Sequence, residues 1–313
     1  MAIKKLLSNT IVGLAAPEVT AGTYVDPTVA DVKLYNIAPI VVDQAPVRIG
    51  NLGSGNFKKG KWVSTTKTAT TSFLTYLQAS GTPTVAPALG KFIKASGLVE
   101  YTDTNVGYKW DGTPTCDTIS YKNNMYDCGA TPEGFSSGIR GATGAMTISA
   151  DNVGAPIVCN FNLSGAAVPD ADIAAAAPTV PSGFDTTDCE KLINVSFTLG
   201  GVVSKIQSFT IDFGTVMGML KDGSSTAEGI ESGAITDGDP TLVVSYTNVG
   251  VAAQDVYSDQ ASDVIYATAT MTLQNFDFAF TNLQIQESPR SDNDGFDNRT
   301  LTLSFEEFSM IQK

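Results

Sequence analysis

Histidine is absent from all 313 residues. That removes together the commonest general base, the commonest metal ligand, and the Ser-His and Cys-His nucleophile pairs. Chemistry by Asp, Glu, Lys or Tyr stays open, but the expectation moves away from an enzyme. Charge is also sparse, at 16% of residues, and unbalanced: 19 Lys and Arg stand against 32 Asp and Glu, a net charge of −13. Binding nucleic acid by neutralising its phosphates needs clustered cations, which this composition does not supply. Enclosing nucleic acid while repelling it remains compatible. No uninterrupted apolar run approaches the roughly 18 residues of a membrane-spanning helix, so no membrane partner is expected. Lys4 and Lys5 with the following apolar residues suggest a signal peptide, but Ser8-Asn9-Thr10 cuts that run too short. A soluble chain is the expectation.

Only four cysteines occur: Cys116, Cys128, Cys159 and Cys189. None forms a CxxC pair, and without histidine a zinc site would need all four thiolates from distant positions. Cys116 and Cys128 leave a local disulfide open, with two loop thiols the plainer reading. Cys159 alternates with Phe161 and Leu163 and reads as a core residue.

What is present is period-two alternation. Met146, Ile148 and Ala150 alternate with Thr147 and Ser149, the Asp151–Gly154 turn follows, and Ile157, Cys159, Phe161 and Leu163 continue the pattern. Val195, Phe197 and Leu199, then Phe209, Ile211 and Phe213, do the same in the second half. Met271 and Leu273 share one parity, and Phe276, Phe278 and Phe280 the other. Such a phase change at Gln274-Asn275 predicts a β-bulge. Leu301, Leu303 and Phe305 follow, with another shift before Phe308. Helix is confined to Pro87–Ser96 and, more weakly, Ala252–Ile265.

The order of these pieces repeats. A strand, a long polar hairpin and a second strand run from Val32 to Phe73 and again from Ile206 to Tyr246. Each passage is followed by closing strands, Ala145–Leu163 and Ala269–Phe305. The spacing predicts a mainly β chain of two tandem β-sandwich or barrel-like domains with one short helix each. Residues 1–19 form an arm, 20–165 the first domain, 166–190 an Ala- and Pro-rich linker, and 191–313 the second domain. Residues 102–138 read as an insertion in the first.

Sites of chemistry do not stand out. Gly55 to Lys61 follows the phosphate-loop pattern until Trp62 replaces the magnesium-holding Ser or Thr, and a Thr-rich, β-prone run follows where a helix is needed. Ser291–Asn298 is acidic and glycine-containing, but it departs from EF-hand spacing. Asp237, Asp239 and Pro240 read as turn residues. Glu306-Glu307 reads as a charged strand end, and with Trp62 and Trp110 alone the aromatic platform for a sugar cleft is thin. No catalytic residue, metal or cofactor is expected.

Several stretches resemble the tail tube proteins of long-tailed bacteriophages. Lys59-Gly-Lys-Trp-Val-Ser-Thr-Thr-Lys-Thr-Ala-Thr-Thr-Ser-Phe73 is similar to the strand after that family's first long loop. Leu89–Leu98 is similar to its short helix, and Gly138–Ser149 with Ile157–Gly165 to its following hairpin. Phe209–Gly214 and Ile235–Ser245 are similar to later strands. The pieces span roughly residues 20 to 250 in the family's order; residues 102–138 and the loop near Asp294 depart from it.

The resemblance implies a virion protein, assembled in the host cytoplasm, whose rings stack into a tail tube. With two units per chain, a trimer gives a pseudo-six-fold ring. Its partners would be further copies of itself and the tail terminator, tape measure and distal tail proteins, with DNA passing through the lumen unbound. The polar hairpins Gly50–Lys61 and Leu220–Asp237 would make the ring-to-ring contacts, through Gly53, Gly55, Phe57, Lys58, Lys59 and Lys61 in the first and Lys221, Asp222, Glu228 and Glu231 in the second. A cell-surface or pilus-type β-sandwich subunit is the alternative structural reading, and a glycoside-active β-sandwich enzyme the third.

Overall fold

The computed structural model describes residues 11–28, 32–44, 46–48, 62–63, 66–113, 117–126, 134–173, 187–221, 229–247, 254–293 and 296–313. The first half holds β1 (Ile11–Pro17), β2 (Val41–Gln44), β3 (Val47–Arg48), β4 (Trp62–Val63) and β5 (Lys67–Tyr76). Helix α1 (Gly90–Ala95) precedes β6 (Val99–Thr102) and β7 (Val106–Trp110). Then come β8 (Ile119–Tyr126), β9 (Gly134–Ala150) and β10 (Val158–Ile173). The second half begins with β11 (Ser196–Leu199), β12 (Val202–Asp212), β13 (Val216–Leu220), β14 (Ser232–Asp237) and β15 (Thr241–Thr247). After α2 (Val256–Ala261) come β16 (Ile265–Thr272), β17 (Phe276–Glu287), β18 (Arg290–Asn293), β19 (Phe296–Ser304) and β20 (Glu307–Gln312).

The fold is mainly β, and its topology repeats. In the first unit the hydrogen-bonded order is β1-β8-β9-β10-β5-β2, all antiparallel. In the second it is β11-β16-β17-β19-β15-β12. Ranked by chain order, both read first, fourth, fifth, sixth, third, second. Each unit carries its helix between the third and fourth strands of this set. In each, the second and third strands lead into a separate two-stranded ribbon, β3–β4 or β13–β14.

The units differ in closure. β11 and β12 pair through Leu199 and Val202 around Gly200 and Gly201, whose φ values of +56° and +84° suit a turn that only glycine adopts freely. That pairing closes a six-stranded barrel. β1 and β2 are joined by a far longer stretch and do not pair among the described residues, so the first unit stays an open, curled sheet.

One apolar core fills both units. Around Phe73 gather Phe92 of α1, Tyr121 and Phe161, with ring centroids 5.0, 5.3 and 5.5 Å away. Phe213, Phe278, Phe280, Phe305 and Phe308 form the second cluster, and Trp110 of the first half joins it 5.8 Å from Phe213.

Three local expectations are revised. The phase change at Gln274-Asn275 is the tight turn between β16 and β17, with the Leu273 amide donating to the Phe276 carbonyl at 2.9 Å. A two-residue hairpin reverses side-chain parity just as a bulge does, so alternation could not separate them. Register shifts fall elsewhere, among them two in the β9–β10 ladder, between Ser164 and Ala166 and between Val168 and Ala171, and one in β12–β15 between Ile206 and Ser208. Residues 166–173, read as linker, continue β10; Ala166 and Ala167 are buried there, and such small side chains leave no alternation signal. Finally, only Val99–Trp110 lacks a counterpart in the second unit, since β8, within the stretch read as an insertion, holds the same rank as β16.

The turn at Gln274-Asn275 is held by a buried carboxylate. Glu190, 2% exposed, accepts from the Gln274 amide at 3.1 Å and from the Asn275 amide and side chain at 3.2 and 2.5 Å. Burial raises its pKa above the ordinary 4.5, with the bonds from Asn275 and Gln274 pulling it back down. The folded chain therefore holds this proton to higher pH than the unfolded chain. Its contribution to stability is greatest below pH 4.5 and declines as pH rises through the raised value. Glu190→Gln should flatten that decline, losing less relative to the parent at pH 7 than at pH 4, while Glu190→Ala should cost about 2 kcal/mol. Melting temperatures across that range check this; parallel curves for parent and Gln variant would refute it.

Candidate assembly interface

The two units meet edge to edge. Phe209, Thr210, Ile211 and Asp212 of β12 pair with Ala150, Ser149, Ile148 and Thr147 of β9, making one sheet of both halves. A second seam forms where β7 of the first half pairs with β20, which itself pairs with β17.

A knot of polar groups fixes the far end of the β13–β14 ribbon onto the first unit. Arg140 on β9, 8% exposed, donates through Nη1 to the Gly22 and Glu231 carbonyls at 2.7 and 3.3 Å. Its Nη2 donates to the Ile230 carbonyl at 2.8 Å. Beside it, Glu18 accepts four bonds: Ser120 Oγ at 2.6 Å and the Gly141 amide at 2.8 Å on Oε1, Thr118 Oγ1 at 2.7 Å and the Gly22 amide at 2.8 Å on Oε2. Here backbones touch directly. A Cβ on Gly22 would lie 1.9 Å from the Glu231 carbonyl oxygen, and one on Gly141 would lie 2.8 Å from Ser232 Cα.

Against this frame the expected contact residues fall unevenly. Gly53, Gly55, Phe57, Lys58, Lys59 and Lys61 lie outside the described residues, as do Asp222 and Glu228. Lys221 is exposed just past β13. Glu231 exposes its side chain, while its amide bonds the Leu220 carbonyl at 2.9 Å and its carbonyl takes the Arg140 bond. The backbone at Ile230 and Glu231 is therefore tied to the first unit, while Leu220, Lys221 and the Glu231 side chain face outward. Cys116 and Cys128 also lie outside the described residues, as does the Asp294-Gly295 pair.

Period-two alternation does not mark Arg140, Glu18 or Glu190. Arg140 carried a usable signal: it shares parity with Ala142, Met146 and Ile148, all buried. A cation on an inward-facing position marks a site where backbone carbonyls converge.

In the large sheet four strands pair on one side only among the described residues: β1, β2, β6 and β18. β2 pairs only with β5, and Val41 and Val42 on it are 62% and 46% exposed. β18 pairs only with β19. Exposed valines on an unpaired edge form a template for another strand, which proteins ordinarily block with charge or proline.

The Cys159 thiol and the charges of the largest described groove are accounted for within the fold. Burial pushes the Cys159 thiol up to about 12, far from the thiolate that reacts. The open groove beside β1 and α1, about 430 Å³, is edged by Asp26, Lys91, Lys94 and Glu100. There Lys91 donates to the Ala15 carbonyl at 2.9 Å, and Lys94 pairs with Glu100 at 3.4 Å. Among the described residues no three Cys, Asp or Glu side chains gather closely enough to hold a metal ion. No described helix is long and apolar enough to cross a membrane. Comparison with family models and with curated proteins finds no match.

Proposed function

We propose that this chain is a structural subunit that self-associates into rings, three chains giving six near-equivalent units, stacked into a tube of the phage-tail type that conducts DNA. The observation that carries this reading is the repeated six-strand topology with its two units already joined edge to edge by β9 and β12. A chain of this design contains one junction of a ring. Repeating that junction between chains gives every unit the same kind of neighbour. The net charge of −13 supports a conduit, since a wall of like charge lets DNA pass without holding its phosphates.

Purified protein viewed by negative-stain microscopy and weighed by light scattering tests the proposal. Rings or hollow tubes with three chains per layer are expected. A monomer persisting at high concentration would overturn the ring reading.

A further inference from the structure

The repeat identifies more than a general tendency to associate: it points to the strands that meet between chains. Gln44, at the end of β2, pairs with Lys67, the first residue of β5. Asp212, at the end of β12, pairs with Thr241, the first residue of β15. Val41–Gln44 thus occupies in the first unit the place that Phe209–Asp212 occupies in the second. Phe209–Asp212 is the segment that pairs with β9 inside the chain.

The partner segment has its own equivalent. β17 and β18 lie along β19 in one continuous course, Gln284–Glu287 opposite Thr302–Ser304 and Arg290–Asn293 opposite Phe296–Arg299. Together they hold the fifth rank that β9 holds. β18 immediately precedes the hairpin into β19, as Thr147–Ala150 precedes the turn into β10. In the first unit the outer side of Thr147–Ala150 is covered by β12. In the second, the outer side of β18 carries no strand among the described residues.

We infer that β18 of one copy pairs antiparallel with β2 of the next, reproducing between chains the β9–β12 junction made within one. Carrying the internal register across places Val41 opposite Asn293, Val42 opposite Asp292, Asp43 opposite Ser291 and Gln44 opposite Arg290. The contact is head to tail, since each copy offers one β2 and one β18, and both are consumed when a ring closes. It also covers Val41 and Val42, the exposed apolar residues on the β2 edge. This inference rests on the proposed ring assembly and names its seam.

Disulfide trapping tests it, because opposed residues in an antiparallel pair bring Cα atoms within the span a disulfide bridges. Val41→Cys and Asn293→Cys chains are mixed, oxidised and mapped by mass spectrometry; Asp43→Cys with Ser291→Cys forms a second pair. A linked dimer with a 41–293 or 43–291 bridge is expected, several-fold above either variant alone, with unchanged circular dichroism. Rings that form normally yet yield neither bridge would overturn the seam while leaving the ring reading intact. Persistent monomers would overturn both.

Discussion

Gly22→Ala should lose about 3 kcal/mol or more of folding stability, far beyond what a surface glycine ordinarily costs. Two effects combine at this position. Its φ of +77° is one that residues with a Cβ rarely adopt, and the added carbon would sit 1.9 Å from the Glu231 carbonyl oxygen and 2.8 Å from its carbon. Neither obstacle is a side chain that can swing away; both belong to the backbone that Arg140 and Glu18 pin in place. The ribbon end would have to lift from the first unit, breaking the Arg140 bonds to the Gly22, Glu231 and Ile230 carbonyls. Gly112→Ala isolates the first effect. Gly112 has a φ of +75° with nothing within 4 Å of its built Cβ, so the strain of φ alone should cost it about 1 kcal/mol. Urea unfolding of both variants measures the difference, and equal losses would show that the close approach at Gly22 contributes nothing.

Phe308→Ala should cost about 3–5 kcal/mol, the range for removing a large aromatic from a packed core. Phe308 is buried on β20, with Phe280, Phe213 and Phe278 at centroid distances of 5.2, 5.3 and 5.5 Å. The cavity cannot be filled by collapse, because strands from both halves meet at this cluster: Trp110, Phe308's partner in the β7–β20 ladder, also packs on Phe213. For the same reason the loss should appear in one cooperative transition. Tryptophan fluorescence and far-ultraviolet circular dichroism should report a single midpoint displaced together. Two separable transitions, with only one displaced, would mean that the units fold independently despite their shared core.

Much of this architecture was legible in the alternation of apolar residues. The runs Met146–Ala150, Phe209–Asp212 and Phe276–Phe280 each form strands with the expected face buried. What stayed hidden was long-range partnership. Period-two patterning tells which face a strand buries but not which strand lies beside it. The pairing of β7 with β20 could not be read from Tyr108 or Met310 alone. Small residues concealed structure in a second way: Gly165, Ala166 and Ala167 lie in β10 where backbones crowd, and their lack of bulk resembled a linker. Carboxylates paired by the fold were the third omission. Nothing near Glu18 or Glu190 in the sequence marks them, and only the fold brings Gly141, Gln274 and Asn275 to them.

The β7–β20 ladder also sets an order on the life of each new chain. Gln312 donates to Ser80 Oγ at 2.8 Å and to the Thr82 carbonyl at 2.7 Å, partners 232 and 230 positions earlier. Val99–Trp110 emerges from the ribosome long before the strand that will cover it. Contacts this distant in sequence slow folding, and unpaired strands left waiting invite association with other nascent chains. The barrel of the second unit, closed by a turn at Gly200-Gly201, can form from nearby segments. The first unit's excursion must wait until Glu307–Gln312 has been made. Maturation is thereby timed by a late strand, and a product truncated before Glu307 would keep β2 and β18 without the strap that completes its core.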